Sequence, residues 1–78
     1  KKIVVVLDNE PRSEFTKASV DSAIDSGYNV CVWPAHIKEK DINDMVVSGM
    51  EPADIKQIID SNTFSGLKAK LAMSVWSK

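Results

Sequence analysis

The stretch that decides the fold is KIVVVLDNEP, residues 2–11. Its apolar run is rich in β-branched residues and does not alternate with polar ones. This pattern predicts a strand over Lys2–Leu7 that is covered on both faces, as in a parallel sheet. Two carboxylates, Asp8 and Glu10, follow the strand directly. Pro11 ends the strand and fits the first turn of a helix.

A helix and a second strand are predicted after this stretch. The helix runs from Pro11 to about Ser26, and Gly27 occupies the position typical of a helix-terminating glycine. Tyr28–Trp33 is the second β-rich run, and Pro34 closes it. The crossover is long, so the two strands are expected to be parallel with a right-handed connection. The predicted apolar face of the helix is Phe15, Ala18, Val20, Ala23 and Ile24.

Three further helices are predicted. Asp41 caps the first, which ends at Ser48-Gly49, and Pro52 opens the second, which is broken at residues 61–63. A last helix follows. The apolar faces are, in order, Ile42, Met45 and Val46; Ile55, Ile58 and Ile59; and Phe64, Leu67, Leu71 and Val75. The predicted class is therefore α/β, a β-α-β unit with parallel strands followed by about three helices.

Length and composition limit the architecture. A chain of 78 residues forms one domain at most, and such a domain buries only about 60% of its unfolded surface. Two strands make a poor sheet, so we expect further strands upstream or pairing with another chain. Residues 1–78 are thus either a single domain or a fragment of a larger protein.

The charge and cysteine content exclude several classes of function. The net charge is −1, so no global basic field indicates nucleic-acid binding. Cys31 is the single cysteine, which excludes an internal disulfide and agrees with a cytoplasmic location. We interpret it as a small buried hydrophobe, with a reactive thiol as the alternative. No apolar stretch approaches the ~20 residues of a membrane helix.

The acids at the strand end suggest a cation site. Parallel sheets bind ligands outside the carboxyl ends of their strands, and Mg²⁺ commonly takes one or two carboxylates plus phosphates. A second acidic cluster, residues 41–44, follows the second strand and is expected at the same edge. The alternative is that Asp8 and Glu10 solvate a loop and favour the start of the next helix.

These blocks resemble the toprim family, the metal-binding fold of primases, topoisomerases and related nucleases. The similarity lies in Val6-Leu7-Asp8-Asn9-Glu10, in the strand to Pro34, and in Glu39-Lys40-Asp41-Ile42-Asn43-Asp44-Met45. The second block looks particularly like phage primases, as does the tail at residues 62–71. The resemblance therefore implies the C-terminal half of a Rossmann-like toprim domain from a tailed-phage DNA primase.

The resemblance also implies roles for individual residues. Asp8 and Glu10 would match the two acids of the family's Asp-x-Asp, with Glu10 as a substitution, and Asp41 the acid of the later loop. Together they would hold Mg²⁺ or Mn²⁺ during RNA-primer synthesis from nucleotides on single-stranded DNA. The family's catalytic glutamate lies on an earlier strand, so the catalytic residue is unknown here and the isolated chain is expected to be inactive.

The basic residues are candidate phosphate contacts. Lys40 would match the basic neighbour of the loop acid, and Arg12 follows the first acids. Lys68 and Lys70 belong to a tail that carries three lysines and no acid over residues 63–78. The alternatives are a salt-bridged Arg12 and a solvated helix face for the lysines.

The remaining polar and aromatic residues are predicted to have structural roles. His36 is interpreted as a solvated loop residue, since no Cys or His partner completes a transition-metal site with it. Trp33 and Trp76 are interpreted as packing residues rather than as surfaces on which bases stack.

Two other functions remain open beside the primase interpretation. Asp8 would be a nucleophile in phosphoaspartate chemistry, although such a domain needs more strands and a later lysine. Alternatively, the chain is a non-catalytic module that docks its open sheet edge, or its basic last helix, on a replication protein, on DNA or on a second copy.

Overall fold

The computed structural model describes residues 3–78, so Lys2, the first residue of the predicted strand, lies outside the described residues. Within residues 3–78 the chain is a small α/β fold of three strands and four helices. The elements are β1 Val4–Val6, α1 Glu14–Asp25, β2 Asn29–Cys31, α2 Ile42–Val47, α3 Pro52–Ser61, β3 Thr63–Phe64 and α4 Gly66–Trp76.

The sheet is mixed, with strand order β1-β2-β3. β1 pairs with β2 in parallel, with Val5 opposite Val30, as predicted. The expectation of parallel strands alone is wrong, because β3 pairs antiparallel to β2 and places Phe64 opposite Val30. Phe64 therefore belongs to a strand and not to the last helix. β2 is the buried central strand, whereas Val4 of the edge strand β1 is exposed.

Helix α1 begins later than predicted. Ser13 is its N-cap and accepts a hydrogen bond from the Thr16 backbone N–H at 3.2 Å, so Pro11 lies in the preceding turn rather than in the helix. Its buried residues are Thr16, Val20 and Ile24. Phe15 was predicted to face the core, but it is 82% exposed because the four-residue spacing from Thr16 sets the buried face.

The glycine terminators are confirmed. Gly27 has φ of 89° and Gly49 has φ of 104°, a region that glycine adopts without steric cost. At the end of α1 the Gly27 N–H donates to the Ile24 carbonyl and the Tyr28 N–H to the Ala23 carbonyl, at 3.0 and 3.1 Å. This is the Schellman motif, which satisfies the last free carbonyls of the helix and turns the chain into β2.

Alternate residues of the segment Val30–Trp33 divide the core between the two faces of the sheet. Val30 and Val32 pack with α1 and α4, in a cluster with Val20, Ile24 and Ala69. Cys31 and Trp33 point to the other side, in a cluster with Ile37, Met45 and Ile55. The sheet therefore lies between two helical layers, and the predicted roles of α2 and α3 are confirmed at Met45 and Ile55.

The predicted face of α4 is wrong. Leu67, Leu71 and Val75 are 76%, 61% and 68% exposed. The side that packs inward carries Ala69, Ala72, Met73 and Trp76 instead. Small residues at this side let the helix approach the sheet and α1 closely. No helix among residues 3–78 has the length and apolar character needed to cross a membrane.

Candidate functional site

Asn9 joins the three segments that meet where β1 ends. Its Nδ2 group donates to the Ile37 and Glu39 carbonyls at 2.9 and 3.0 Å, and its backbone N–H donates to the Lys40 carbonyl. Its Oδ1 accepts the Trp76 Nε1–H at 2.9 Å. Asn9 therefore holds the acid loop, which we define as Asp8–Glu10, against the β2–α2 loop, residues 34–41, and against α4.

Both tryptophans pack and also fix the strand ends. Trp33 is buried, and its Nε1–H donates to the Leu7 carbonyl at 2.8 Å. Trp76 is half-buried and is tied to Asn9. The prediction that the two indoles serve packing is confirmed, since each N–H has a partner within the fold. The bond from Trp33 satisfies the Leu7 carbonyl at the point where β1 ends and the acid loop begins.

The two carboxylates of the acid loop have different surroundings. Asp8 is exposed. Glu10 is half-buried; it accepts a 3.4 Å hydrogen bond from the Thr16 hydroxyl, and its Oε2 lies 4.0 Å from Lys40 Nζ. The Glu10 backbone N–H also donates to the Asp8 carbonyl at 2.9 Å, which makes the loop a tight turn. Glu10 is thus oriented by its neighbours while Asp8 faces water.

The β2–α2 loop does reach the acid loop, as predicted, but Asp41 has a structural task of its own. Its Oδ1 caps α2 by accepting the Asp44 N–H at 2.8 Å. Over residues 3–78, no three Asp, Glu, His or Cys side chains are grouped closely enough to hold a metal ion. The oxygen donors suit a hard cation such as Mg²⁺, but Asp8, Glu10 and Asp41 do not form one three-carboxylate cluster.

The predicted phosphate-binding residues are dispersed over the fold. Lys40 lies beside Glu10. Arg12 is exposed and donates to the Ser77 carbonyl at 3.4 Å. Lys68 is exposed on α4. Lys70 pairs with both Asp21 and Asp25 of α1, at 3.0 Å for the second carboxylate.

These two contacts raise the pKa of Lys70 above its usual range, first through the hydrogen bond to Asp21 and then through that to Asp25. Lys70 therefore holds α4 on α1. A phosphate would have to displace two carboxylates to reach it.

A cleft of about 560 Å³ opens between α4 and the β2–α2 loop. Its walls are mainly apolar, and Asn9 lies among its lining residues, so the cleft adjoins the acid loop. Among residues 3–78, Lys38 is the single charged residue in its lining. The sequence patterns did not indicate this cleft, because β3 and the true orientation of α4 create it.

Cys31 is a buried core residue and His36 an exposed loop residue, as the sequence predicts. Cys31 is buried against the second core cluster, and burial raises the pKa of its thiol to about 11. A thiol of this kind is mostly protonated near neutral pH and is a poor nucleophile. His36 is exposed in the β2–α2 loop.

Asn9 is the residue that sequence reasoning missed. It stands between two acids in a polar loop, where an amide usually faces water. Folding brings the Trp76 indole N–H and the carbonyls of the β2–α2 loop to this edge, where they need partners, but all of these groups are distant from Asn9 in the chain. The sequence did not show which residue would supply these partners.

Comparison with known proteins finds a similarity to part of a DNA primase. No protein-family model matches it. The DNA primase of Enterobacteria phage T4 is 38% identical to it over 77 residues, which is 96% of this chain and 22% of that protein. The chain therefore spans about a fifth of the length of the curated relative it matches. Residues that form the acid loop, the sheet and the four helices belong to a region related to a DNA primase.

Proposed function

We propose that this chain is part of a primase that makes RNA primers from nucleotides on single-stranded DNA, and that it supplies the acidic edge at which nucleotide phosphates are held. The relation to a phage DNA primase over nearly the whole chain carries this proposal. Its toprim character is part of the proposal and is supported by the acid pair that follows a parallel strand.

The proposed metal ligands are Asp8 and Glu10. They stand at the carboxyl end of β1, where parallel sheets bind ligands, and Asp8 is free to meet an ion in water. Mg²⁺ keeps several waters and commonly needs only one or two carboxylates beside a substrate phosphate. Asp41 would join such a site only by giving up its cap on α2.

The surrounding residues have supporting roles in this proposal. Mg²⁺ or Mn²⁺ supplies charge neutralisation and polarisation of phosphate oxygens when bound. Asn9 holds the acid loop in place through its contacts with the β2–α2 loop. Lys40, close to Glu10, offsets part of the acidic charge and is positioned to approach a phosphate at the same edge. The residue that exchanges protons in the reaction is not assigned.

The test is a Mn²⁺ titration of this chain followed by NMR. We expect paramagnetic broadening centred on the amides of residues 8–10, and we expect Asp8→Asn to remove most of it. Asp8 is exposed, so this variant should keep the fold. Asp54→Asn is the matched control, since Asp54 is an exposed acid in the first turn of α3.

Two results would contradict the proposed site. One is broadening centred away from the acid loop. The other is broadening at the acid loop that Asp8→Asn and Asp54→Asn change equally. A protein that contains this chain and makes primers should also lose that activity with Asp8→Asn and retain it with Asp54→Asn.

A further inference from the structure

We propose that the outer side of α4 and the adjoining cleft form a docking surface for an acidic amphipathic segment of a partner protein. We call this the α4 surface and define it by Leu67, Leu71 and Val75 together with the cleft beside Ala35 and Lys38. Its cleft adjoins the acid loop at Asn9, but neither Asp8 nor Glu10 is among the described residues that line it. The inference therefore stands or falls separately from primer synthesis.

Helix α4 is apolar on two opposite sides. The inward side packs through Ala69, Met73 and Trp76, and the outward side carries Leu67 and Leu71, both exposed. A surface helix normally carries one apolar stripe, which faces the core, and polar residues on the opposite side. The amphipathic pattern expected of a surface helix is absent here, so the outward side is suited to contact with another protein.

The apolar stripe and the cleft are continuous. At about 100° per residue, Leu67, Leu71 and Val75 fall within an arc of about 80° on the helix. Val75 belongs to the stripe and also lines the cleft, together with Ala35. The cleft, at about 560 Å³, has the volume for a large apolar side chain, while the stripe offers an exposed apolar contact on which a helix packs. An amphipathic segment that inserts one such residue would use both parts.

The charged residues that α4 and the cleft lining present are lysines. Helix α4 contains Lys68 and Lys70 and no acid, and among residues 3–78 Lys38 is the one charged residue that lines the cleft. Lys70 is paired with Asp21 and Asp25 of α1. Lys68 and Lys38 take part in no ion pair within residues 3–78. Charge complementarity therefore calls for Asp or Glu in the partner.

A protein fits this surface better than a nucleic acid. Exposed aliphatic side chains gain little from contact with phosphates, and single-stranded nucleic acids favour exposed aromatic rings. The two indoles are used in packing, with Trp33 bonded to the Leu7 carbonyl and Trp76 bonded to Asn9. The α4 surface combines apolar area with flanking lysines, which are the features of a helix-binding groove.

The test begins with a random peptide library selected on this chain, with Leu71→Ser/Val75→Ser as the counter-selection target. Both substituted residues are exposed, and thermal unfolding checks that the variant folds. We expect the enriched peptides to combine a large apolar residue with Asp or Glu. NMR shifts of the unsubstituted chain on adding the strongest peptide should centre on the α4 surface.

Affinity measurements by fluorescence anisotropy then separate the contribution of the apolar stripe from that of the lysines. Leu71→Ser should weaken peptide binding by about tenfold. Adding Lys68→Glu and Lys38→Glu should weaken peptide binding further. Val47→Ser and Lys56→Glu are the controls, since they replace an exposed apolar residue of α2 and an exposed lysine of α3. Neither control should alter binding.

Three outcomes would overturn the inference. The first is that selection enriches no peptide over the counter-selection target. The second is that the enriched peptides lack acids or bind the Leu71→Ser variant equally well. The third is that a single-stranded oligonucleotide, and no peptide, binds through the lysines, which would make α4 a nucleic-acid contact.

Discussion

Replacing Asn9 by alanine should destabilise the fold more than its position in a loop suggests. The substitution removes three side-chain hydrogen bonds, two donated to the Ile37 and Glu39 carbonyls and one accepted from Trp76. At about 1 kcal/mol each, these contribute about 3 kcal/mol. Asn9 is half-buried, so water replaces part of the loss and we expect about 2 kcal/mol. For a domain of this size, the Tm should then fall by about 8–16 °C.

Urea unfolding followed by circular dichroism measures this change in the free energy of unfolding. The Trp76 indole N–H resonance should also shift, because its acceptor is lost. Asn43→Ala is the matched control, since Asn43 is exposed on α2 and its side chain makes no hydrogen bond within residues 3–78. Asn9→Asp should be at least as harmful as Asn9→Ala, because it turns a carboxylate oxygen toward two carbonyls. If Asn9→Ala costs no more than Asn43→Ala, the bridging role of Asn9 is refuted.

Three further substitutions test the core, a titrating group and a turn. Met45→Ala should lower the free energy of unfolding in urea by about 3 kcal/mol, because Met45 is fully buried. Val47→Ala, on the exposed side of α2, should lower it by less than about 0.5 kcal/mol. Equal losses for the two variants would contradict the assigned core. Burial raises the pKa of the Cys31 thiol from 9.0 to about 11, so its contribution to stability is complete below pH 9 and is lost as the pH rises toward 11. Cys31→Ala should therefore flatten the alkaline end of the stability curve, and an unchanged slope would exclude this cause. Gly27→Ala should cost about 1 kcal/mol through backbone strain at φ of 89°, measured by thermal unfolding, and a neutral result would mean that the turn relaxes.

The parts of the fold that the sequence predicted correctly are those with strong local signals. The β-branched runs, the caps at Ser48-Gly49 and Gly27, and the helix opened by Pro52 depend on backbone preferences of neighbouring residues. These preferences act whatever the rest of the chain does. The β1–β2 pairing was also predictable, since a helical crossover of this length favours parallel strands.

The errors came from contacts between distant segments. The two-residue strand Thr63–Phe64 exists because β2 offers it a partner, and no local pattern in so short a run indicates a strand. The face of α4 was predicted from the three- and four-residue spacing of Phe64, Leu67, Leu71 and Val75. Close packing on α1 instead required a small residue at Ala69, which is fully buried.

The candidate site, like the fold, was predicted from the sequence only in part. The sequence indicated that the acid loop and the β2–α2 loop would meet at one edge, and the Asn9 contacts confirm that they do. It also indicated that Asp41 would cap α2, and the hydrogen bond from the Asp44 N–H confirms this. It did not indicate that Lys70 would pair with Asp21 and Asp25, because that pairing depends on which carboxylates lie within reach after folding.

The bond between Asn9 and Trp76 joins residues that are 67 positions apart, and this has a consequence for biosynthesis. A ribosome adds roughly 5–20 residues per second, so several seconds separate the emergence of the β2–α2 loop from that of Trp76. During the first part of that interval β2 lacks β3, and the first core cluster lacks the complete α4 until its end. Closing so long a loop is also entropically costly until many other contacts are present. We therefore expect this segment to complete its fold only after α4 has left the ribosome, with an exposed β2 edge that a chaperone can bind in the meantime.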